Sequence, residues 1–368
     1  MANLPIVLTG GHAGTAGIAV LTELRKLEKL GNAEYFWIGS KVAMEGKSSP
    51  TLESRVLPKL GVTFYPITSG KLQTKFTVHT ISSMLKIPVG FIQAFFALVK
   101  IKPKVILSFG GFTSFPVVFW GKVFGIPVII HEQTVAIGRA FAASVPFATK
   151  ILLARDESKK YIAGRNAEVV GNPLMPEILS IKQKTWMPRF PTLLVIGGSR
   201  GSSFLNELMR AIVKDLLTLV NIIHLTGEED YKSQSIFRES LDVNLRNKYA
   251  LYPNVDSDKM GNLYQNVDIV IARSGANTVS ELIYAKIPTI FIPLPRTYLD
   301  EQVKNAKYAE NYGLGVALAE NEATDSRLIA EIKNLIKNRN KIYKNLKGKI
   351  SPDVDASKKI AAIVSVYC

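Results

Sequence analysis

A β-branched apolar run that ends in a glycine turn and passes straight into a helical pattern leaves a chain few ways to fold, and residues 269–293 contain one. Ile269 to Ala272 carries no polar interruption, Ser274-Gly275 supplies a turn, and Thr278 to Ala285 has apolar residues at helical spacing. Lys286-Ile-Pro-Thr-Ile-Phe-Ile-Pro293 then returns to a strand pattern. Strand, turn, helix and strand in that order form the unit of a parallel α/β sheet. Such a unit leaves a helix N-terminus at the end of a buried strand. Its unpaired N–H groups and positive dipole suit a diphosphate, and Glu281, about one turn in, is placed to accept hydrogen bonds from ribose hydroxyls. An ordinary βα turn with a capping hydroxyl and a solvent-facing Glu explains any one of these residues. The crowding of Arg273, Ser274, Gly275, Asn277, Thr278 and Glu281 at one strand end favours half of a nucleotide site.

The same unit recurs along the chain. Strand pattern over 6–8 runs into Thr9-Gly10-Gly11-His12 and a helix. The glycines let backbone approach a ligand and His12 stands at the loop mouth, although the G-x-G-x-x-G spacing of a dinucleotide fingerprint is absent. Further strands read at 35–38, 63–67, 104–108, 126–134, 150–154 and 167–173. The fourth ends in Phe109-Gly110-Gly111-Phe112, and the fifth delivers His131, Glu132 and Gln133 together. Four prolines between 171 and 191 mark a linker. Beyond it Thr192 to Ile196 enters Gly197-Gly198-Ser199-Arg200-Gly201, a second phosphate cradle with Ser199 and backbone amides as donors and Arg200 as counter-charge. A helix opening near Asp300 carries Gln302, suited to sugar hydroxyls. Asp325 to Lys349 reads as a basic solvated helical region and Asp355 to Tyr367 as a last helix. With 368 residues, two cores are expected. The expected fold class is α/β, two Rossmann-like domains with parallel sheets facing a cleft. Domain bounds are expected at 1–173 and 174–350, with a C-terminal helix at 351–368 that packs back on the first domain.

Charge separates the candidate partners. Residues 1–165 hold twenty Lys or Arg against eight Asp or Glu, and no acidic residue occurs between Glu53 and Glu132. That gap encloses Lys86 to Lys104, an aromatic segment with Phe91, Phe95 and Phe96 between Lys86 and Lys100. Lysines flanking exposed rings suit an anionic lipid surface, and the apolar run, broken by Pro88 and Gln93, is too short to span. A core helix with lysine-capped ends and a nucleic-acid patch are the competing readings; no nucleic-acid module is visible, so nucleic acid is not an expected partner. The one cysteine, Cys368, excludes a disulfide framework or Cys-based metal site and points to a reducing cytosol, and the N-terminus shows no export pattern.

These motifs, taken in order with Val170-Gly-Asn-Pro173, Arg273 to Glu281 and Gln302-Val-Lys-Asn-Ala306, resemble those of the MurG family over nearly the whole chain. The resemblance implies a GT-B fold and an inverting, metal-independent transfer of N-acetylglucosamine from UDP-N-acetylglucosamine to lipid I, with no cofactor, at the cytoplasmic face of the bacterial plasma membrane. It implies that Gly198, Ser199, Arg200, Gly201, Ser274, Gly275, Ala276, Asn277, Thr278, Glu281 and Gln302 bind the UDP-sugar. Thr9, Gly10, Gly11, Gly110, Gly111, Phe112, His131 and Thr134 would line the acceptor side. Inversion needs a base that deprotonates the acceptor hydroxyl as it attacks; His12 is the first candidate and Glu132 the second. Met175 stands where the family's Gly-Asn-Pro motif runs on to an Arg, and Arg200 where it has Gln. A related transferase with another lipid acceptor, a UDP-sugar epimerase and a non-catalytic UDP-sugar or membrane-binding module are the alternatives.

Overall fold

The computed structural model describes residues 4–11, 13–42, 50–68, 78–162, 164–198 and 200–368, with backbone alone for 78–85. His12 and Ser199 lie outside the described residues. The chain divides into two compact units, Met1–Met175 together with Pro352–Cys368, and Pro176–Ser351.

The first unit is built on seven parallel strands: β1 (Leu4–Thr9), β2 (Ala33–Gly39), β3 (Thr63–Pro66), β4 (Val105–Ser108), β5 (Val128–Glu132), β6 (Lys150–Leu153) and β7 (Ala167–Val169). Their spatial order is β3-β2-β1-β4-β5-β6-β7. The chain moves outward from β1 to β3 and crosses back through helix Val78–Ile101 to add β4 on the other side of β1. Ile6 therefore pairs with Tyr35 on one side and Val105 on the other. The reversal makes the carboxyl ends of β1 and β4 the place where an open α/β sheet leaves a ligand crevice. Helix Ala356–Ser365 packs on helix Gly14–Leu24, burying Ile360, Ala361 and Val364. A buried ion pair fixes the segment before it. Arg155 Nη1 and Nη2 meet the two oxygens of Asp353 at 2.5 and 2.7 Å, and Asn172 N–H donates to the same carboxylate at 2.7 Å.

The second unit repeats the plan with β8 (Thr192–Ile196), β9 (Asn221–Leu225), β10 (Tyr249–Tyr252), β11 (Ile269–Ala272), β12 (Thr289–Phe291) and β13 (Gly315–Ala317), all parallel in the order β10-β9-β8-β11-β12-β13. The reversal falls between β8 and β11. Helices cover both faces, so β11 is buried at every residue, which is why its sequence is an unbroken apolar run. The basic region reads as two helices, Asp325–Lys337 and Arg339–Leu346, broken at Asn338. Their apolar residues Leu328, Ile332, Leu335 and Tyr343 join the core, and Lys333, Lys337, Lys341 and Lys344 face outward.

Candidate functional site

In the second unit β8 and β11 lie side by side, Ile196 opposite Ala272, and each ends in a glycine turn that starts a helix. The β8 turn is folded onto itself. A Cβ on Gly201 would stand 2.1 Å from the Thr226 carbonyl oxygen, and φ at Gly198 is +87°, a region closed to most side chains. At Gly198 and Gly275 a Cβ would meet nothing within 4 Å, so both turns border open space. Helix Ala276–Ala285 begins after Gly275, which has no side chain to cap it, and its first turn holds no acidic residue. Its positive end is thus free of a carboxylate of its own, and Ala276, Asn277 and Thr278 are partly exposed there.

Glu281 is partly exposed one turn further on. Its Oε2 accepts from Tyr264 Oη at 3.0 Å. Burial pushes this carboxyl up to about 7, the tyrosine hydrogen bond opposing the shift. Tyr264 is fully buried, and burial together with Glu281 raises its own pKa. With one oxygen held by Tyr264 and, among the described residues, no hydrogen-bond partner on the other, Glu281 is suited to two neighbouring hydroxyls. No sequence pattern marked Tyr264, which lies on a separate helix, Met260–Gln265.

Other side chains of this site are committed to the protein itself. The Ser274 hydroxyl is buried and donates to the Gln302 carbonyl at 2.7 Å, so Ser274 offers a ligand only backbone. Asn305 Nδ2 donates to the Ser274 carbonyl at 3.1 Å. Arg273 pairs with Glu320 and gives two further hydrogen bonds to Ser202 Oγ and one to the Ile292 carbonyl, tying the ends of β8, β11 and β12 together. Gln302 accepts from Leu294 N–H at 3.0 Å, leaving its amide NH2 as the end suited to a sugar hydroxyl. It thereby braces a loop with left-handed Arg296, Leu299 and Asp300, each costing about 1–3 kcal/mol of backbone strain. Arg200 is exposed at the β8 turn.

In the first unit the turns after β1 and β4 interlock. Gly11 N–H donates to the Gly110 carbonyl at 2.9 Å, and a Cβ on Gly111 would stand 2.7 Å from Gly11 N. Phe112 is half-buried beside them. Three expected acceptor contacts are corrected. Thr9 is buried and its hydroxyl donates to the Ile38 carbonyl at 2.7 Å. His131 is fully buried inside β5 with Nε2 2.9 Å from the Gly171 carbonyl oxygen, and desolvation lowers its pKa to about 4, which keeps it neutral. Thr134 is buried, its hydroxyl donating to the Ala136 carbonyl at 2.6 Å and lying 3.1 Å from Glu132 Oε1. Glu132, the second candidate base, is corrected too. Its Oε1 accepts from Gln133 and Thr134 N–H and its Oε2 from Gly138 N–H, so both oxygens of the buried carboxylate are committed to shaping the loop after β5.

Helix Val78–Ile101 exposes Val89, Ile92, Phe96 and Val99, residues that fall on one helical stripe. Phe96 is 64% exposed, whereas Phe91 and Phe95 are half-buried in an aromatic cluster with Phe119 and Trp120. Lys100 is exposed at the helix end and Lys86 is partly exposed nearer its start. Among the described residues no helix is long and apolar enough to cross a membrane, and no group of three or more His, Cys, Asp or Glu could hold a metal.

Two parallel-sheet units, each with glycine turns at its switch point, and one with an uncapped helix end beside a ribose-type carboxylate, define a nucleotide-sugar-binding protein of the two-Rossmann class. The chain belongs to glycosyltransferase family 28. Residues 6–153 match the N-terminal domain of that family and residues 192–360 its C-terminal domain. It is 34% identical to a UDP-N-acetylglucosamine--N-acetylmuramyl-(pentapeptide) pyrophosphoryl-undecaprenol N-acetylglucosamine transferase of Clostridium botulinum strain Hall, over 98% of this chain and 99% of that protein. Identity to the protein of the same name from Clostridium kluyveri is 33%, again over 98% and 99%. The crystal structure of Acinetobacter baumannii MurG superposes with a TM-score of 0.73 at 21% identity, covering 99% of both chains. A UDP-GlcNAc 2-epimerase from Neisseria meningitidis bound to UDP-GlcNAc shares the fold at 12% identity, with a TM-score of 0.67 over the whole of both chains.

Proposed function

We propose that this protein transfers N-acetylglucosamine from UDP-N-acetylglucosamine to N-acetylmuramyl-(pentapeptide) pyrophosphoryl-undecaprenol, lipid I, giving lipid II. The observation that carries the reading is 34% identity, kept over 98% of the chain, to a protein named for that activity. The first amides of helix Ala276–Ala285 and the Gly198–Gly201 turn hold the diphosphate, Glu281 takes the ribose hydroxyls, and the Gln302 amide meets the sugar. The departing UDP gains negative charge, and the helix end with Arg200 stabilises it. Turnover that survives a chelator is the corresponding expectation. His12 takes the proton of the acceptor hydroxyl, a role resting on the family resemblance and on imidazole's pKa range.

The protein reaches its lipid substrate peripherally, through the stripe of Val89, Ile92, Phe96 and Val99 with Lys86 and Lys100, at an anionic cytoplasmic membrane surface. The test is UDP release from UDP-N-acetylglucosamine with and without a short-chain lipid I analogue, beside His12→Ala. Release that requires the acceptor and collapses in the variant is expected. Donor binding without turnover would sink the transferase reading, and formation of UDP-N-acetylmannosamine without acceptor would mark an epimerase.

A further inference from the structure

The helix after β1, Gly14–Leu24, has no capping side chain of its own at Ala13. A distant residue fills its N-terminus. Glu53, 2% exposed, accepts from Ala13 N–H through Oε1 at 2.7 Å, and the Gly14 backbone bonds to the same carboxyl. The approach is built in. A Cβ on Gly14 would stand 3.0 Å from Leu52 Cδ2 and 3.2 Å from Glu53 Cγ, so glycine there lets the segment seat closely. The segment is itself anchored. Thr51 caps helix Leu52–Val56 by accepting from Ser54 N–H, donates its hydroxyl to the Ser40 carbonyl at 2.9 Å, and bonds its own N–H to the Lys41 carbonyl at 3.1 Å.

A helix N-terminus at a sheet's switch point is where an anionic ligand would otherwise settle. Here the chain supplies a carboxyl group: burial raises its pKa, and the hydrogen bonds from its own, Ala13 and Gly14 backbone and from Thr51 oppose that shift by favouring the ionised form. Because Gly11 bonds Gly110 and abuts Gly111, whatever fixes the β1 turn also fixes the β4 turn.

We propose that Glu53 is a positioning residue for the acceptor side of the transfer: its carboxylate stands in for a bound anion at the start of helix Gly14–Leu24 and so locks the interlocked glycine turns. The proposal rests on the transferase reading for its kinetic consequence, but the locking of the turns does not.

Two variants test it, with hydrogen exchange of the peptide spanning 9–24 and steady-state kinetics. Glu53→Gln keeps the shape and removes the charge; it should lower kcat at least tenfold while the KM for UDP-N-acetylglucosamine, held on the other unit, moves less than threefold. Exchange at the first helical amides should quicken at least tenfold. Glu53→Ala opens a space for a small carboxylate, so acetate should restore turnover and protection and acetamide should not. Glu53→Gln with wild-type kcat and exchange, or equal rescue by acetamide, overturns the proposal, because packing alone would then account for Glu53. If Glu53→Ala does not fold, the isosteric variant carries the decision. If the wild-type protein transfers nothing, the function reading fails, and the exchange rates still decide whether the carboxylate locks the turns.

Discussion

If Glu281 takes the ribose hydroxyls as proposed, it should couple donor binding to pH in a range where few carboxylates titrate. Burial holds its carboxyl at about 7, with Tyr264 donating to one oxygen. Only the ionised form can accept from a pair of ribose hydroxyls without losing acceptor sites to a proton. At pH 8 about 90% of the free protein then carries the competent form, and at pH 6 about 10%. Donor affinity should fall about tenfold between those values, or about 1.4 kcal/mol. UDP-N-acetylglucosamine is the ligand to use, since its diphosphate is esterified at both ends and binds no proton in this range. Calorimetry at pH 7 in buffers of different ionisation enthalpy should show release of about half a proton per donor bound. Glu281→Gln should bind about 10- to 150-fold more weakly at pH 8, as for loss of hydrogen bonds to a charged group, and should lose the slope. The empty protein gives the opposite sign. A carboxyl raised from 4.5 contributes stability that is complete below about 4.5 and lost as pH rises through 7, up to about 3 kcal/mol, so Glu281→Gln should melt higher than wild type at pH 8 without donor. Flat donor affinity from pH 6 to 8, or an unchanged slope in Glu281→Gln, would refute the reasoning.

Three further outcomes follow from the geometry. Gly275 has φ −62° and ψ 148°, ordinary for any residue, and a Cβ there meets nothing; Gly275→Ala should leave Tm within about 2 °C and weaken donor binding at least tenfold, and unchanged calorimetric affinity would move the diphosphate elsewhere. Removing Asp353 strands the buried Arg155 and the Asn172 N–H; Asp353→Ala should cost about 3–5 kcal/mol in urea unfolding, and a loss under about 1 kcal/mol would show the pair to be dispensable. Phe96→Asp puts a charge on the apolar stripe at a site already mostly exposed; sedimentation with anionic vesicles should fall at least tenfold with donor affinity and Tm unchanged, and unaltered sedimentation would reject this stripe as the membrane contact.

Strands and turns were legible in the sequence where burial is two-sided and glycine is obligatory. Ile269 to Ala272 had to be apolar throughout because helices cover both faces of β11, and Gly201 had to be glycine because the Thr226 carbonyl occupies the space of its Cβ. The failures share a cause. By sequence His131 and Glu132 look like a pair of polar groups delivered to a crevice, yet both lie within β5, still under that cover. In a parallel sheet only residues past the last paired position reach the ligand, and polarity inside the strand is instead satisfied by neighbouring backbone, as Gly171, Thr134 and Gly138 do here. Ser274 and Arg273 mislead in the same way, since a buried hydroxyl and a buried guanidinium must bond, and their partners Gln302, Ser202 and Glu320 come from segments 28, 71 and 47 residues away.

The two halves of the chain show why a glycine turn before a helix does not by itself predict a ligand. Both β1 and β8 lead into such turns at the reversal of their sheets, and by local sequence the β1 turn looks equally open. Its helix end is filled by Glu53, forty residues downstream and delivered by contacts to the end of β2, which no local pattern could reveal. At β11 the local sequence supplies no such group: Gly275 brings no cap and the first turn no acid. On the proposed reading the free energy of a helix end is used in opposite ways, for internal order at β1 and for the donor diphosphate at β11. An anion-binding site is defined by the absence of a competing internal carboxylate as much as by its glycines.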